Sequence, residues 1–316
     1  MSYFLLAVSS RENLEICLKY NMAGLPGSQN GLWTFLEINE GDYVSFLYGA
    51  KITNLYKVIS KKAYREFSEP WKPIKFRSRK TYSFPYRLFL SPIRTFNESI
   101  VRPEFLYVAE DLLLRGGYRK THFQADQMTL HFVSTLGELA NDSNFEKFDC
   151  PEQLEYTPKI TLNKKSSWEL TPFNELILQV LAKRKLSEEL DRILQYFGFE
   201  GCKDEYEILS EKATEQGFLD LLIKPKYPLE KNNQIVIEIK KTNATKSAIQ
   251  QLIDYLSKNE NYKGGILVAN QFDEKLKATV KEDKRILLMR YNLNVNVQQA
   301  YTFDELYNNL TVEISE

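Results

Sequence analysis

Short apolar runs punctuated by glycine, proline and asparagine dominate the first 140 residues. Tyr3–Val8, Leu32–Leu36, Tyr43–Tyr48, Leu55–Ile59 and Arg87–Leu90 have the length and the boundaries of β-strands. Arg11–Tyr20 instead places Leu14, Cys17 and Leu18 at helical spacing behind Ser9 and Ser10, either of which suits an N-cap. Pro103–Leu114 predicts a further helix. The pattern lapses over residues 139–168, which are polar, hold Pro151 and Pro158 and show no sustained period. That stretch reads as a linker between a domain over 1–138 and another over 169–316. Beyond it, helices are expected over Pro172–Arg184 and Ser187–Phe197, with Gly198 where a C-cap glycine belongs. Strands over Gly217–Ile223 and Ile235–Lys240 follow, then a helix over Lys246–Leu256. A strand over Gly265–Ala269, a helix over Glu274–Glu282 and a strand over Arg285–Tyr291 complete an α/β order.

Composition narrows the setting more than the chemistry. At 316 residues and 43% hydrophobic, the chain is long enough for two cores. Its 42 basic and 42 acidic residues cancel, so a basic face for nucleic acid would be hidden in the sum. Cys17, Cys150 and Cys202 are odd in number and far apart, which fits a reducing compartment without a disulfide framework. With only His122 and His131 beside them, no zinc-ligand spacing exists. The apolar start stops at Val8 and lacks a basic leader, and no run reaches membrane-spanning length. A cytoplasmic protein without a membrane partner is expected.

The chemistry concentrates in GFLDLLIKPKYPLEKNNQIVIEIKK. Along the strand Ile235–Lys240, the isoleucines at 235, 237 and 239 share one face, so Glu238 and Lys240 share the other. Asp220 sits in an equally apolar strand. If the two strands pair as a hairpin, Asp220 approaches Glu238, and two adjacent carboxylates favour a divalent cation between them. Mg²⁺ or Mn²⁺ on Asp220, Glu238 and the Ile239 carbonyl would polarise a phosphate and acidify a water, with Lys240 stabilising the developing charge. A plainer reading makes Glu238 and Lys240 a cross-strand ion-pair face, and Gln251 with Tyr255 an ordinary amphipathic helix.

The order Asp220, Glu238-x-Lys240, then Gln251 and Tyr255 one helical turn apart resembles the PD-(D/E)xK nucleases, in their RecB-like D…ExK…QxxxY form. Gly217 stands three residues before Asp220 as in the GxxD variant. The resemblance spans about residues 172–290. It implies a restriction-endonuclease-like α/β domain with a central mixed sheet, and a catalytic glutamate on a preceding helix. Glu188 and Glu189 are the candidates for that role, with Glu189 preferred. The string IVIEIKK…QQLIDYL also resembles the C-terminal nuclease domain of mismatch- and flap-cleaving endonucleases.

The first half carries no nucleophile motif and no phosphate-binding glycine loop. It mixes aromatic with basic side chains, most densely in EPWKPIKFRSRKTYSFPYRLFL, a composition that can stack bases and hold phosphates. Trp71 lies there in a proline- and charge-rich loop, where exposure is expected. The run Gly41-Asp42-Tyr43-Val44-Ser45-Phe46-Leu47-Tyr48 and the strings around it resemble the EVE/YTH branch of PUA-like domains over residues 3–135. The resemblance implies an α+β fold, a small β-barrel with flanking helices, holding a modified or flipped base in an aromatic cage. Asn21-Met22-Ala23 stands where the YTH family has a tryptophan, so a cage here would draw on Trp71 with Trp33 or Tyr20, and on Tyr48. Packing alone also explains many aromatics in a β-rich core.

Joined, the halves imply a modification-dependent DNA endonuclease, acting as a homodimer because cutting both strands needs two sites. A mismatch- or structure-specific repair endonuclease is the first alternative. A catalytically dead nuclease fold that only binds nucleic acid is another, and an RNA-processing factor a third.

Overall fold

The structure, a computed structural model, describes residues 1–65, 70–75, 81–101, 121–140, 146–163, 170–214, 217–227, 233–281 and 283–315. The helix expected over Pro103–Leu114 lies outside these. Two units emerge, Met1–Pro158 and Lys159–Glu316, and their boundary falls inside the stretch expected to be linker. Parts of that stretch join one unit or the other. The Phe148 ring packs edge-on against Tyr20, and Glu155–Tyr156 forms a strand of the first unit. Lys159–Thr161 forms a strand of the second. Strands of two or three residues are too short to show a period, which is why the pattern concealed them.

The first unit runs β1 (Tyr3–Ala7), α1 (Arg11–Tyr20), β2 (Met22–Leu25), α2 (Gln29–Glu37), β3 (Tyr43–Leu47), β4 (Lys51–Tyr64), β5 (Ile74–Lys75), β6 (Thr81–Tyr82), β7 (Tyr86–Val101), β8 (His122–Ala125), α3 (Gln127–Thr135), β9 (Glu138–Leu139) and β10 (Glu155–Tyr156). Its main sheet follows the path β2-β7-β4-β3-β1-β8, with β9 against β7 and β10 against β4. Among its described strands, only β1 and β3 pair in parallel. The long β4–β7 ladder has three register irregularities, which bend and twist such a pair. Tyr3, Leu5, Ile52, Leu55, Phe96, Phe123 and Val133 fill one core of this unit.

Leu32–Leu36 is helical, not the expected strand. Ser28 accepts the Gly31 amide at 3.1 Å and so caps α2, and every residue from Gly31 to Glu37 is buried. A short apolar run reads alike for a buried helix and a buried strand, and the cap decides it here.

The second unit runs β11 (Lys159–Thr161), β12 (Leu170–Pro172), α4 (Glu175–Glu188), α5 (Leu190–Tyr196), β13 (Tyr206–Thr214), β14 (Gly217–Pro225), β15 (Gln234–Lys240), α6 (Lys246–Lys258), β16 (Tyr262–Ala269), α7 (Glu274–Lys281), β17 (Ile286–Leu293), β18 (Ala300–Tyr301), α8 (Phe303–Asn308) and β19 (Leu310–Ile314). A mixed sheet, β13-β14-β15-β16-β17-β19, is parallel in its middle and antiparallel at both ends. Two adjacent glycines of β16 let helices close on both of its faces. A Cβ on Gly264 would stand 2.2 Å from the Phe197 ring, and one on Gly265 would stand 2.8 Å from Leu252 of α6. The approach of α6 is thereby set by the absence of a side chain. Among the described residues, no helix is long and apolar enough to cross a membrane.

Candidate active site

The β14–β15 ladder runs through Ile223↔Ile235 and Leu222↔Val236 to Leu221↔Ile237. One step further the antiparallel register sets Asp220 opposite Glu238, so the hairpin expected from the sequence brings the two carboxylates together. There the ladder ends, and Asp220 replaces it. Its Oδ2 accepts the Ile239 amide at 2.7 Å, while its Oδ1 accepts Nε2 of Gln179, from α4, at 2.7 Å. Glu238 is 3% exposed. Its Oε1 accepts Lys240 Nζ at 2.6 Å, and its buried Oε2 has no hydrogen-bond partner.

Burial and the neighbouring Glu238 carboxylate push Asp220 well above the usual carboxylate range, against the pull of the Ile239 amide and the Lys240 ammonium. Glu238 is raised by burial and by Glu175, with Lys240 opposing. At Lys240, burial disfavours the charge, but Glu238, Asp220 and Glu175 together outweigh it and hold the amine protonated above the ordinary lysine value. The site therefore keeps a permanent cation beside two carboxylates that resist ionising together.

Gln251 and Tyr255 lie on α6 as expected, with Gln251 Nε2 donating to the Tyr255 hydroxyl at 3.0 Å. Tyr255 is buried, and its hydroxyl is raised by burial and by the charges of Glu238 and Asp220. The pair thus belongs electrically to the same site.

The two candidate helical glutamates lie at the end of α4. Glu189 sits at the junction of α4 and α5, with its carboxylate 3.7 Å from Arg192. Glu188 accepts the Tyr307 hydroxyl and lies 3.5 Å from Lys185. Glu175, at the first turn of α4, is the residue whose charge reaches Asp220, Glu238 and Lys240, and its Oε2 accepts the Lys241 amide at 3.2 Å. Glu175 and Gln179 are one helical turn apart and so share a face of α4. A signal existed: Gln179 interrupts the apolar run Leu176-Ile177-Leu178-Gln179-Val180-Leu181 and is buried, which demands a polar partner.

Hard oxygen donors of this kind suit Mg²⁺ or Mn²⁺. The unpartnered Glu238 Oε2 fits such an ion, because a buried carboxylate oxygen without a donor is otherwise costly. Among the described residues no three His, Cys, Asp or Glu side chains gather closely enough to form a metal cluster. The acidic side chains that the ladder brings together here are Asp220 and Glu238.

The four candidate base contacts in the first unit differ in exposure. Trp71 is 3% exposed, against the expectation of an exposed loop. Its indole Nε1 donates to Cys17 Sγ at 3.2 Å, and its ring lies so close over Gly24 that a Cβ there would stand 2.8 Å away. The glycine makes room for the indole, which explains the burial. Trp33 is buried on α2 with its ring 4.4 Å from that of His122 and its Nε1 unpartnered. Tyr20 is half-buried against Phe148, and Tyr48 is 37% exposed in the β3–β4 turn. The residue missed is Arg87, 0% exposed on β7. Its guanidinium faces the rings of Tyr64 at 4.9 Å, Trp71 at 5.3 Å and Phe148 at 5.5 Å, and donates to Cys150 Sγ at 2.9 Å. An aromatic box is present, and the chain's own arginine stands in it.

No family model matches the chain, and no curated protein matches it. Among solved structures, it is similar to EndoMS in an EndoMS–dsDNA2 complex, with 23% identity and a TM-score of 0.23 over 33% of this chain and 44% of that one. It is also similar to a repair endonuclease from Pyrococcus abyssi, with 18% identity and a TM-score of 0.23 over the same shares. The chain thus spans less than half the length of each. Likeness at this level carries no functional argument, and the site stands on its own geometry.

Proposed function

We propose that the second unit is a metal-dependent phosphodiester hydrolase acting on DNA. One observation carries the reading: Asp220 and Glu238 are forced together on adjacent strands, with Lys240 bonded to one oxygen of Glu238 and the other oxygen unpartnered. A Mg²⁺ or Mn²⁺ ion held by Asp220, Glu238 and the Ile239 carbonyl would supply Lewis acidity toward a phosphate and a water. Gln179 and the Ile239 amide fix the Asp220 carboxylate by one hydrogen bond to each oxygen. Lys240 presents its ammonium beside Glu238, where it stabilises charge developing on phosphorus. Glu175 raises the negative potential of the pocket and ties the end of β15 to α4.

In this reading the first unit selects the DNA. A modified or flipped base is the leading substrate, and a homodimer supplies the second site for a double-strand cut. A second reading has specific support. Trp71 is covered and the buried Arg87 fills the aromatic box, which leaves these rings no room for a base and favours a mismatch- or structure-specific repair nuclease.

Cleavage with Mg²⁺ of matched duplexes tests both. The panel comprises unmodified, N6-methyladenine, 5-methylcytosine, 5-hydroxymethylcytosine, mismatched and branched DNA. Cutting of one modified duplex supports the reader, and cutting of mismatched or branched duplexes supports repair. Asp220→Ala should abolish either activity, and Glu175→Ala should lower it roughly 10- to 100-fold, as loss of a supporting partner does. Glu189→Ala should leave it unchanged. Wild-type cleavage by Asp220→Ala sinks the assignment.

A further inference from the structure

One row of the second unit's sheet continues past the candidate site. β15, β16 and β17 are parallel, and their ladders align Lys240 with Ala269 and Ala269 with Arg290. Aligned residues on neighbouring strands share a face. Arg290 therefore stands on the face that carries Lys240 and, two residues back along β15, Glu238. Two inter-strand steps of about 4.8 Å put the Arg290 Cα about 10 Å from that of Lys240. This rim is formed by the carboxyl ends of three parallel strands, where open α/β sheets take their ligands.

Arg290 is exposed, whereas the four residues before it in β17, Ile286 to Met289, are buried. Its Nε donates to the Asn270 carbonyl at 3.0 Å, which fixes the plane of the guanidinium and leaves the Nη donors for another acceptor. Glu313, its ladder partner on β19, is exposed and forms no ion pair with it, and among the described residues no other carboxylate does. The rim itself is tied together. Asn270 Nδ2 donates to the Tyr291 carbonyl at 3.4 Å, and the Tyr291 hydroxyl donates to the Lys241 carbonyl just past Lys240. Arg290 is thus a planar cation, anchored by one hydrogen bond and set across the ladder from Glu313 without a direct ion pair, at a set distance along the same rim as the proposed active site.

We infer that Arg290 holds a backbone phosphate of the DNA strand being cut, displaced along the rim from the reacting phosphodiester. The inference rests on the hydrolase reading above. A guanidinium fork matches two phosphate oxygens at once, which a lysine does not. The separation suits it, because each strand of duplex DNA carries one phosphate per about 3.4 Å of axis, so about 10 Å covers a few successive phosphates.

The test is fluorescence anisotropy of a fluorescein-labelled DNA duplex across a salt series, with Ca²⁺ in place of Mg²⁺, followed by single-turnover cleavage in Mg²⁺. Arg290→Ala should weaken binding on the order of three- to tenfold and reduce the logarithmic salt slope by about one, uniformly across sequences. Arg290→Lys should keep the slope and recover only part of the affinity. Lys284→Ala removes an exposed charge at the opposite end of β17 and should change neither. An unchanged slope in Arg290→Ala, an equal change in Lys284→Ala, or a wild type that binds no duplex overturns the inference. Failure of the hydrolase reading shows separately, as wild-type cleavage by Glu238→Gln or no cleavage by the wild type, while the binding slopes still decide Arg290.

Discussion

Asp220 and Glu238 hold protons more tightly in the folded chain than in an unfolded one, and this gives the second unit a pH signature. Below about pH 4, the ordinary carboxylate range, both groups are protonated in either state and no penalty exists. As pH rises through the raised folded values, the unfolded chain has already ionised while the folded site resists. Stability of the metal-free protein therefore falls with rising pH. A divalent cation binds the ionised carboxylates, so its stabilisation grows over the same window. The melting temperature of metal-free wild type should drop, as pH rises above the ordinary carboxylate range, more than that of Asp220→Asn. Mg²⁺ at a hundredfold excess over its Kd should restore about 2.7 kcal/mol to the wild type and nothing to the variant. Differential scanning fluorimetry across pH, with and without Mg²⁺, reads both effects. Parallel curves for the two proteins would mean the carboxylates are not coupled as the geometry requires.

At the scale of elements, the sequence was most legible where a face repeats. The alternation along Ile235–Lys240 put Glu238 and Lys240 on one face, and the helical spacing of Gln251 and Tyr255 put them on one side of α6; both arrangements are present. Single-residue context was less legible. The family resemblance points to Glu189, which falls at the joint between α4 and α5, whereas only tertiary packing shows that Glu175 and Gln179 at the start of α4 reach the site. Trp71 was expected to be exposed because prolines and charges surround it, yet Gly24 opens a seat for the indole from a distant strand. Its role as an element of the core is measurable. Trp71→Ala should destabilise the first unit by about 3–5 kcal/mol, the range for removing a large buried aromatic. Any loss of base discrimination should then track the unfolded fraction in urea. A variant that stays folded and loses only discrimination would show that the indole touches the ligand.

At the scale of the whole molecule, the boundary between Pro158 and Lys159 makes division of labour testable. Within the stretch expected to form a free linker, a strand lies on either side of that boundary. β10 belongs to the β4 edge of the first unit, and β11 lies between β12 and β18 of the second. A cut before Phe148 would therefore strip Phe148 and Cys150 from Arg87, one between Cys150 and Glu155 would strip β10 from β4, and one between Thr161 and Leu170 would remove the middle strand of a three-stranded sheet. A division between Tyr156 and Lys159, such as the one after Pro158, leaves both sets of ladder hydrogen bonds whole. Asp220, Glu238, Lys240, Glu175, Gln179, Gln251 and Tyr255 all lie beyond that point. Residues 159–316 alone should fold, melt higher with Mg²⁺ and cut DNA, without the preference that the full chain shows among duplexes. Residues 1–158 should bind DNA and cut none. Circular dichroism establishes folding of each piece before cleavage is scored. A folded second unit that cuts nothing until the first is added back would mean that the first contributes to the chemistry itself, and the separation of reader from cutter would have to be abandoned.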